Sequence, residues 1–175
     1  FMSGRSISWS YGESPTSKVF INNGKGIFSD KTNEYLPDTK GEIGMVTDAA
    51  LVDYDGDKDS DILLSVEWEK LKVLDNNNNK FTLKGLPVES GLWSSIDFAD
   101  FDRDGDIDII AGNHGLNSKF IANDKEPLSM YYADFDKNGK KEQFITLYDN
   151  GKEVPFSMMK ELHKQMPSLK KKFLY

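Results

Sequence analysis

Two windows of nine residues carry five aspartates each, at every other position. The first holds Asp53, Asp55, Asp57, Asp59 and Asp61; the second holds Asp100, Asp102, Asp104, Asp106 and Asp108. A third window places Asp134, Asp136, Asn138, Lys140 and Glu142 at the same offsets. Aligned on the first aspartate they read DYDGDKDSD, DFDRDGDID and DFDKNGKKE. Side-chain oxygens at positions 1, 3 and 5 of a tight loop converge on one centre. Position 7 can add a backbone carbonyl (Asp59, Asp106, Lys140), and position 9 a carboxylate (Asp61, Asp108, Glu142). An all-oxygen set of this size suits calcium, which takes six to eight oxygens at about 2.3–2.6 Å. Magnesium prefers a rigid octahedron and keeps its waters. Zinc would want Cys or a nearby His, and the chain has no cysteine and two histidines. Acid-rich turns also occur without metal, because Asp and Asn favour turns. Aspartates at alternate positions, twice over, nonetheless repel one another without a counter-ion.

The loops are not EF-hands. Position 12 of an EF-hand loop is a bidentate Glu, and here it is Leu64, Ala111 or Ile145. The flanks run apolar or alternate, as strands do, so each loop is expected to join two strands. Position 6 is Gly105 and Gly139 in two loops, suited to a positive φ. In the first loop it is Lys58, which costs on the order of 1–2 kcal/mol if that angle is kept. The first loop thus has full charge and questionable geometry. The third has good geometry and less charge, and the second has both and is expected to bind most tightly.

The elements around the loops are short strands separated by turns. Val19-Phe20-Ile21 runs into Asn22-Asn23-Gly24, and Ile27-Phe28 resumes. Strands are expected over Met45–Val52, Ile62–Val66, Leu71–Leu74, Phe81–Leu83, Ile96–Ala99, Ile107–Ala111, Tyr131–Ala133 and Phe144–Leu147. Such spacing predicts an all-β sandwich, barrel or propeller. Residues 157–162 and 168–173 have helical composition, with Pro167 between them and Ser157 placed to cap the first. Met158, Met159, Leu162 and Met166 form a packing stripe.

The loops resemble the calcium loops of FG-GAP/VCBS repeats, as in the β-propeller of integrin α subunits. Further stretches narrow the resemblance: SGR (3–5), SKVFINNGKGIFSDKT (17–32), GMVTDAALVDYDGDKDSDILL (44–64), EW (67–68), AGNHGLNSKF (111–120), EPLSMYYADFDKNG (126–139) and QMPSLKKKF (165–173). Together they are similar to the C-terminal propeller portion of a bacterial subgroup that often carries an ASPIC/UnbV-type domain and is related to the cartilage acidic protein family. His114 and Lys58 depart from the pattern. The resemblance implies four-stranded antiparallel blades with the calcium loop in a hairpin, hence a partial β-propeller of about three blades over residues 1–155. A short C-terminal helical segment would follow over 156–175. It implies up to three Ca2+ ions. Since closed propellers have four to eight blades, a fragment of a longer chain is expected. Phe1 in place of an initiator Met agrees with that. Cut blades would expose edges, so self-association is expected.

Composition bounds the function. The chain has 175 residues and a formal charge of −7, which argues against nucleic-acid binding. Lys170-Lys171-Lys172 reads as a solvated face. No apolar run is long enough for a transmembrane helix. No GxSxG, HExxH, P-loop or dinucleotide motif appears. His114 reads as a loop histidine and His163 as an exposed helical one. The expectation is therefore a non-catalytic calcium-binding module of an exported, cell-surface or periplasmic protein, where calcium is high enough to fill weak loops. An adhesion role, or binding of a protein or glycan ligand, follows from the resemblance. Trp9, Trp68 and Trp93 are candidate platforms for sugars, or else core residues. The alternative is a non-catalytic part of a larger carbohydrate-active enzyme, such as a polysaccharide lyase or hydrolase.

Overall fold

In a strand covered on both faces every position is apolar or paired, and the segment after the first acidic loop meets that condition. In the computed structural model, which describes residues 1–115 and 117–171, β4 (Asp61–Glu69) is buried at every position from Asp61 to Glu67. It lies at the centre of an antiparallel meander of β3 (Met45–Val52), β4, β5 (Lys72–Asn77) and β6 (Lys80–Gly85). Alternation sorts its side chains. Ile62, Leu64 and Val66 point to one face and pack with Val19, Leu36, Ile43, Val46 and Leu74. Leu63 points to the other and packs with Val52, Leu71, Val73, Leu86 and Ile96. Each fully buried Leu contributes roughly 1.5–3 kcal/mol by leaving water, so the two small cores hold the hairpin that presents the first loop.

The chain divides into two units. The first comprises Phe1–Ile7 and Ser14–His114. It adds to the meander a small hairpin of β1 (Phe20–Asn22) and β2 (Phe28–Asp30), and one turn of helix α1 (Thr32–Tyr35). It also holds the hairpin of β7 (Gly91–Ala99) and β8 (Asp108–Asn113). β7 joins β4 through Glu67↔Leu92 and Glu69↔Gly91, with an irregularity at Trp68, whose φ is 70°. β8 ends this sheet, and Ile110 on it is exposed.

The second unit comprises Ser8–Glu13 and Gly115–Tyr175. Its sheet has β9 (Ser129–Ala133), β10 (Glu142–Asp149) and β11 (Lys152–Pro155) in the order β11-β10-β9. The β10–β11 hairpin closes through Asn150 (φ 49°) and Gly151 (φ 75°), the left-handed pair a two-residue turn demands. The N-terminal segment is stapled to this sheet. Ser10 Oγ (2.8 Å) and Tyr132 Oη (2.8 Å) both donate to Glu13 Oε2. Lys141 Nζ stands over the Tyr132 ring, 5.0 Å from its centre. These two hydroxyls, and then Lys141, lower the Glu13 pKa.

The C-terminal helical pieces are α2 (Met159–Gln165) and a 3₁₀ turn at Pro167–Lys171; residues 172 and 173, included in the sequence expectation, lie outside the described residues. Three expectations are corrected in this segment. The N-cap is Met158 rather than Ser157, its N–H donating to Glu161 Oε2 at 3.3 Å. Of the packing stripe, Leu162 and Met166 are buried, whereas Met158 and Met159 are exposed. His163 is half-buried, with its Nε2 shielded from solvent and without a partner. The strands are those expected from the sequence, generally longer, plus β11. Among the described residues, four antiparallel strands accompany the first loop, two the second and three the third. After β8 the chain runs through Asn113-His114-Gly115, and the next strand among the described residues is β9.

Candidate metal centres

Each acidic loop joins the two strands of an antiparallel hairpin: β3 to β4, β7 to β8, and β9 to β10. The strand partners at the loop mouths are Val52↔Asp61, Ala99↔Asp108 and Ala133↔Glu142. One side-chain-to-backbone scheme folds all three loops. The position 9 carboxylate reaches back to the position 2 amide. Tyr54 N–H donates to Asp61 Oδ2 (2.8 Å), Phe101 N–H to Asp108 Oδ2 (2.8 Å), and Phe135 N–H to Glu142 Oε2 (3.0 Å). The position 1 aspartate accepts from the middle of the loop. Gly105 N–H donates to Asp100 Oδ2 (3.1 Å) and Gly139 N–H to Asp134 Oδ2 (2.9 Å); Lys58 N–H donates to Asp53 Oδ2 (3.1 Å). Position 5 accepts from position 7: Asp57, Asp104 and Asn138 each take the amide two residues on at 2.8–2.9 Å. The repeat read in letters is therefore a repeat of hydrogen bonds.

These bonds turn oxygens inward. Carboxylate oxygens of Asp53, Asp55 and Asp57 lie within 4.8 Å of one another. So do those of Asp100, Asp102 and Asp108, and those of Asp134, Asp136 and Glu142. Two shielded oxygens support a cation. Asp59 Oδ1 in the first loop and Asp136 Oδ1 in the third are shielded from solvent and have no hydrogen-bond partner. A shielded carboxylate oxygen without a donor is costly, and a cation supplies what is missing. Burial first, then the carboxylates of Asp57, Asp61 and Asp55, push Asp59 above the usual carboxylate range. The donor set is oxygen throughout, which suits calcium by coordination chemistry.

Two features distinguish the first loop. Lys58 does hold a positive φ, at 78°, beside Gly105 at 99° and Gly139 at 86°. However, position 4 is also left-handed in every loop: Gly56 (80°), Arg103 (66°) and Lys137 (59°). Each loop thus has one glycine and one long cationic residue in that region, with their order exchanged in the first. Lys58 is no special defect. The first loop is also the best braced. Asp61 is 1% exposed, and its Oδ1 accepts Asn76 N–H at 2.8 Å. Asn76 Nδ2 donates to Ser60 O (3.2 Å), while Asn76 Oδ1 takes Asn79 N–H (2.9 Å). The neighbouring Asp75 is buried against Lys84, and this bond raises the Lys84 pKa. Asn76 was invisible as a site residue because it sits in a polar Asn run that reads as a plain turn. It lies in β5, paired with Phe81, next to the strand's last residue Asn77.

The remaining candidates are dispersed. Trp9 is wholly exposed. Trp93 is half-buried and packs on the second core, and Trp68 is half-buried at the β4 irregularity. His114 lies in the turn after β8, its N–H donating to Asn113 Oδ1 at 2.8 Å. Among the described residues no helix is long and apolar enough to cross a membrane.

Comparison with known proteins agrees with the loop geometry. Residues 53–111, from the first acidic loop through the second and into β8, match the model of the FG-GAP-like repeat. This stretch is similar to the FG-GAP-like repeat. No curated protein and no solved structure matches the chain.

Proposed function

We propose that this chain is a calcium-binding module of β-propeller type, in which ions at the three loops brace the hairpins. The observation that carries the reading is the convergence of carboxylates in three loops closed by one hydrogen-bond scheme. The FG-GAP-like match over two of those loops supports it. The ions are structural. A calcium held by this many oxygens has little open coordination for a substrate, and neither histidine is among the converging ligand groups of the described residues. The function is therefore binding rather than catalysis, with a protein or glycan as ligand. Loops of the extracellular type fill at about 10⁻⁴–10⁻³ M calcium, so the module works outside the cytosol, at a cell surface or in a periplasm. Adhesion is the role this combination suits.

Terbium tests the reading loop by loop. Terbium replaces calcium on oxygen ligands and luminesces when a nearby aromatic is excited. Tyr54 at position 2 serves the first loop, while Phe101 and Phe135 hold that place in the others. Tyrosine-sensitised emission should appear on adding terbium, fall on adding calcium, and drop in Tyr54→Phe. Emission that calcium leaves unchanged would overturn the proposal.

A further inference from the structure

The chain contains three Asn-Gly pairs: Asn23-Gly24, Asn138-Gly139 and Asn150-Gly151. In such a pair the glycine nitrogen can reach the asparagine side-chain carbon, because no Cβ hinders its approach. The pairs at 23 and 138 are tied alike, except that the glycine N–H donates to a neutral amide at 23 and to a carboxylate at 138. Asn150 sits exposed at the β10–β11 turn, its side-chain amide donating to Asp149 Oδ1 at 3.0 Å. Asn23 Oδ1 accepts Lys25 N–H at 2.8 Å, and Gly24 N–H donates to the Asn22 side chain at 3.0 Å. Asn138 lies inside the third acidic loop. There Gly139 N–H donates to Asp134 Oδ2 at 2.9 Å, and Asn138 Oδ1 accepts Lys140 N–H at 2.8 Å. Asn138 N–H donates to the other oxygen of Asp134 at 3.0 Å.

We propose that Asn138-Gly139 is a self-modification site held in check by Asp134. The reaction is deamidation with water as co-reactant. Solvent base removes the Gly139 amide proton, and the nitrogen forms a bond to Asn138 Cγ. The bond from Cγ to the side-chain nitrogen breaks, and that nitrogen leaves as ammonia after taking a proton from water. Water then opens the five-membered imide at either carbonyl, giving aspartate or isoaspartate at position 138. Nothing is oxidised or reduced. Asp134 opposes the first step in two ways. Its Oδ2 holds the attacking N–H away from Cγ, and its negative charge disfavours an anion on that nitrogen. The Lys140 amide meanwhile fixes the side chain that must rotate.

The two products have opposite effects. Aspartate gives the third loop the position 5 carboxylate that Asp57 and Asp104 supply in the others. Isoaspartate inserts a methylene into the main chain between residues 138 and 139 and moves both the Gly139 and Lys140 amides off their acceptors. Modification thus completes the loop's charge or breaks its closure. The proposal requires no ion in the loop, so it stands apart from the calcium reading.

The test is peptide mapping of the full chain over time in mildly alkaline, chelator-treated buffer, scoring all three asparagines. Asp134→Ala should speed conversion of Asn138 by about tenfold or more, the factor that one lost hydrogen bond to a charged group carries. Asn23 and Asn150 should keep their rates. An Asn138 rate unchanged by the substitution would overturn the proposal. Should Asp134→Ala unfold the chain, all three sites would accelerate together, and wild type then decides. Asn138 must convert more slowly in the native chain than in urea; equal rates would overturn the proposal.

Discussion

Removing the Asp61 carboxylate separates a clamp from a ligand. Its Oδ2 accepts Tyr54 N–H and its Oδ1 accepts Asn76 N–H, both at 2.8 Å, in a side chain that is 1% exposed. A hydrogen bond to a charged group contributes about 1.5–3 kcal/mol, so two give about 3–6 kcal/mol. Two effects work against this. Water entering the space left by Asp61→Ala re-satisfies part of the amides' need, and one fewer carboxylate relieves repulsion from Asp55, Asp57 and Asp59 by on the order of 1 kcal/mol. The metal-free protein should therefore lose about 2–4 kcal/mol. Asp108→Ala, which breaks the single Phe101 N–H bond at a half-buried site, should lose less. Denaturant unfolding followed by tryptophan fluorescence is the assay, since Trp68 and Trp93 lie in the first unit and the wholly exposed Trp9 reports little. Unchanged or raised metal-free stability in Asp61→Ala would refute the reasoning, because repulsion would then outweigh the clamp and Asp61 would matter only as a ligand.

Other consequences follow from the same loops. Lys58→Gly relieves a positive φ and should raise the melting temperature, with a gain of about 1 kcal/mol, whereas Gly56→Ala in the same loop should lower it; a loss in Lys58→Gly would mean that its side chain contributes more than the backbone costs. Two carboxylates should act in opposite directions with pH. Asp59 has a raised pKa, so the folded chain binds its proton more readily than the unfolded chain. Its charge opposes folding above the folded pKa, and that penalty fades as pH falls toward the unfolded value. Asp30 is lowered from 3.8 to about 2 by its Thr32 hydrogen bonds and then Lys18. Its contribution is present above 3.8 and lost as pH falls through about 2. Metal-free melting curves against pH should therefore be flattened on the acid limb by Asp30→Asn and raised near neutrality by Asp59→Asn; opposite signs would contradict the assignments.

The letters carried the loops further than the blades. Alternating aspartates announce inward oxygens, and their apolar flanks announce strands, so the hairpins were legible. What escaped were partners distant in sequence. Asn76 braces a loop fifteen residues earlier through its backbone and side chain, which no local pattern encodes. The left-handed position 4 was hidden by Arg103 and Lys137, since only a glycine advertises such an angle. The Asn150-Gly151 pair was a readable hairpin signal for β11 that the short, polar Lys152–Pro155 strand obscured. The staple from Ser10 and Glu13 to Tyr132 joins residues more than a hundred positions apart, beyond any motif.

Calcium titration of the metal-stripped chain by calorimetry, with magnesium as control and melting curves alongside, tests the central claim most directly. Three filled loops would give saturation near three calcium ions per chain, little heat from magnesium, and a raised melting temperature. Ions that bind only the folded state add about 2.7 kcal/mol per site at a hundredfold excess over Kd. A folded chain that takes up no calcium at millimolar concentration would contradict it, and the acidic loops would then be turns held by their own hydrogen bonds alone.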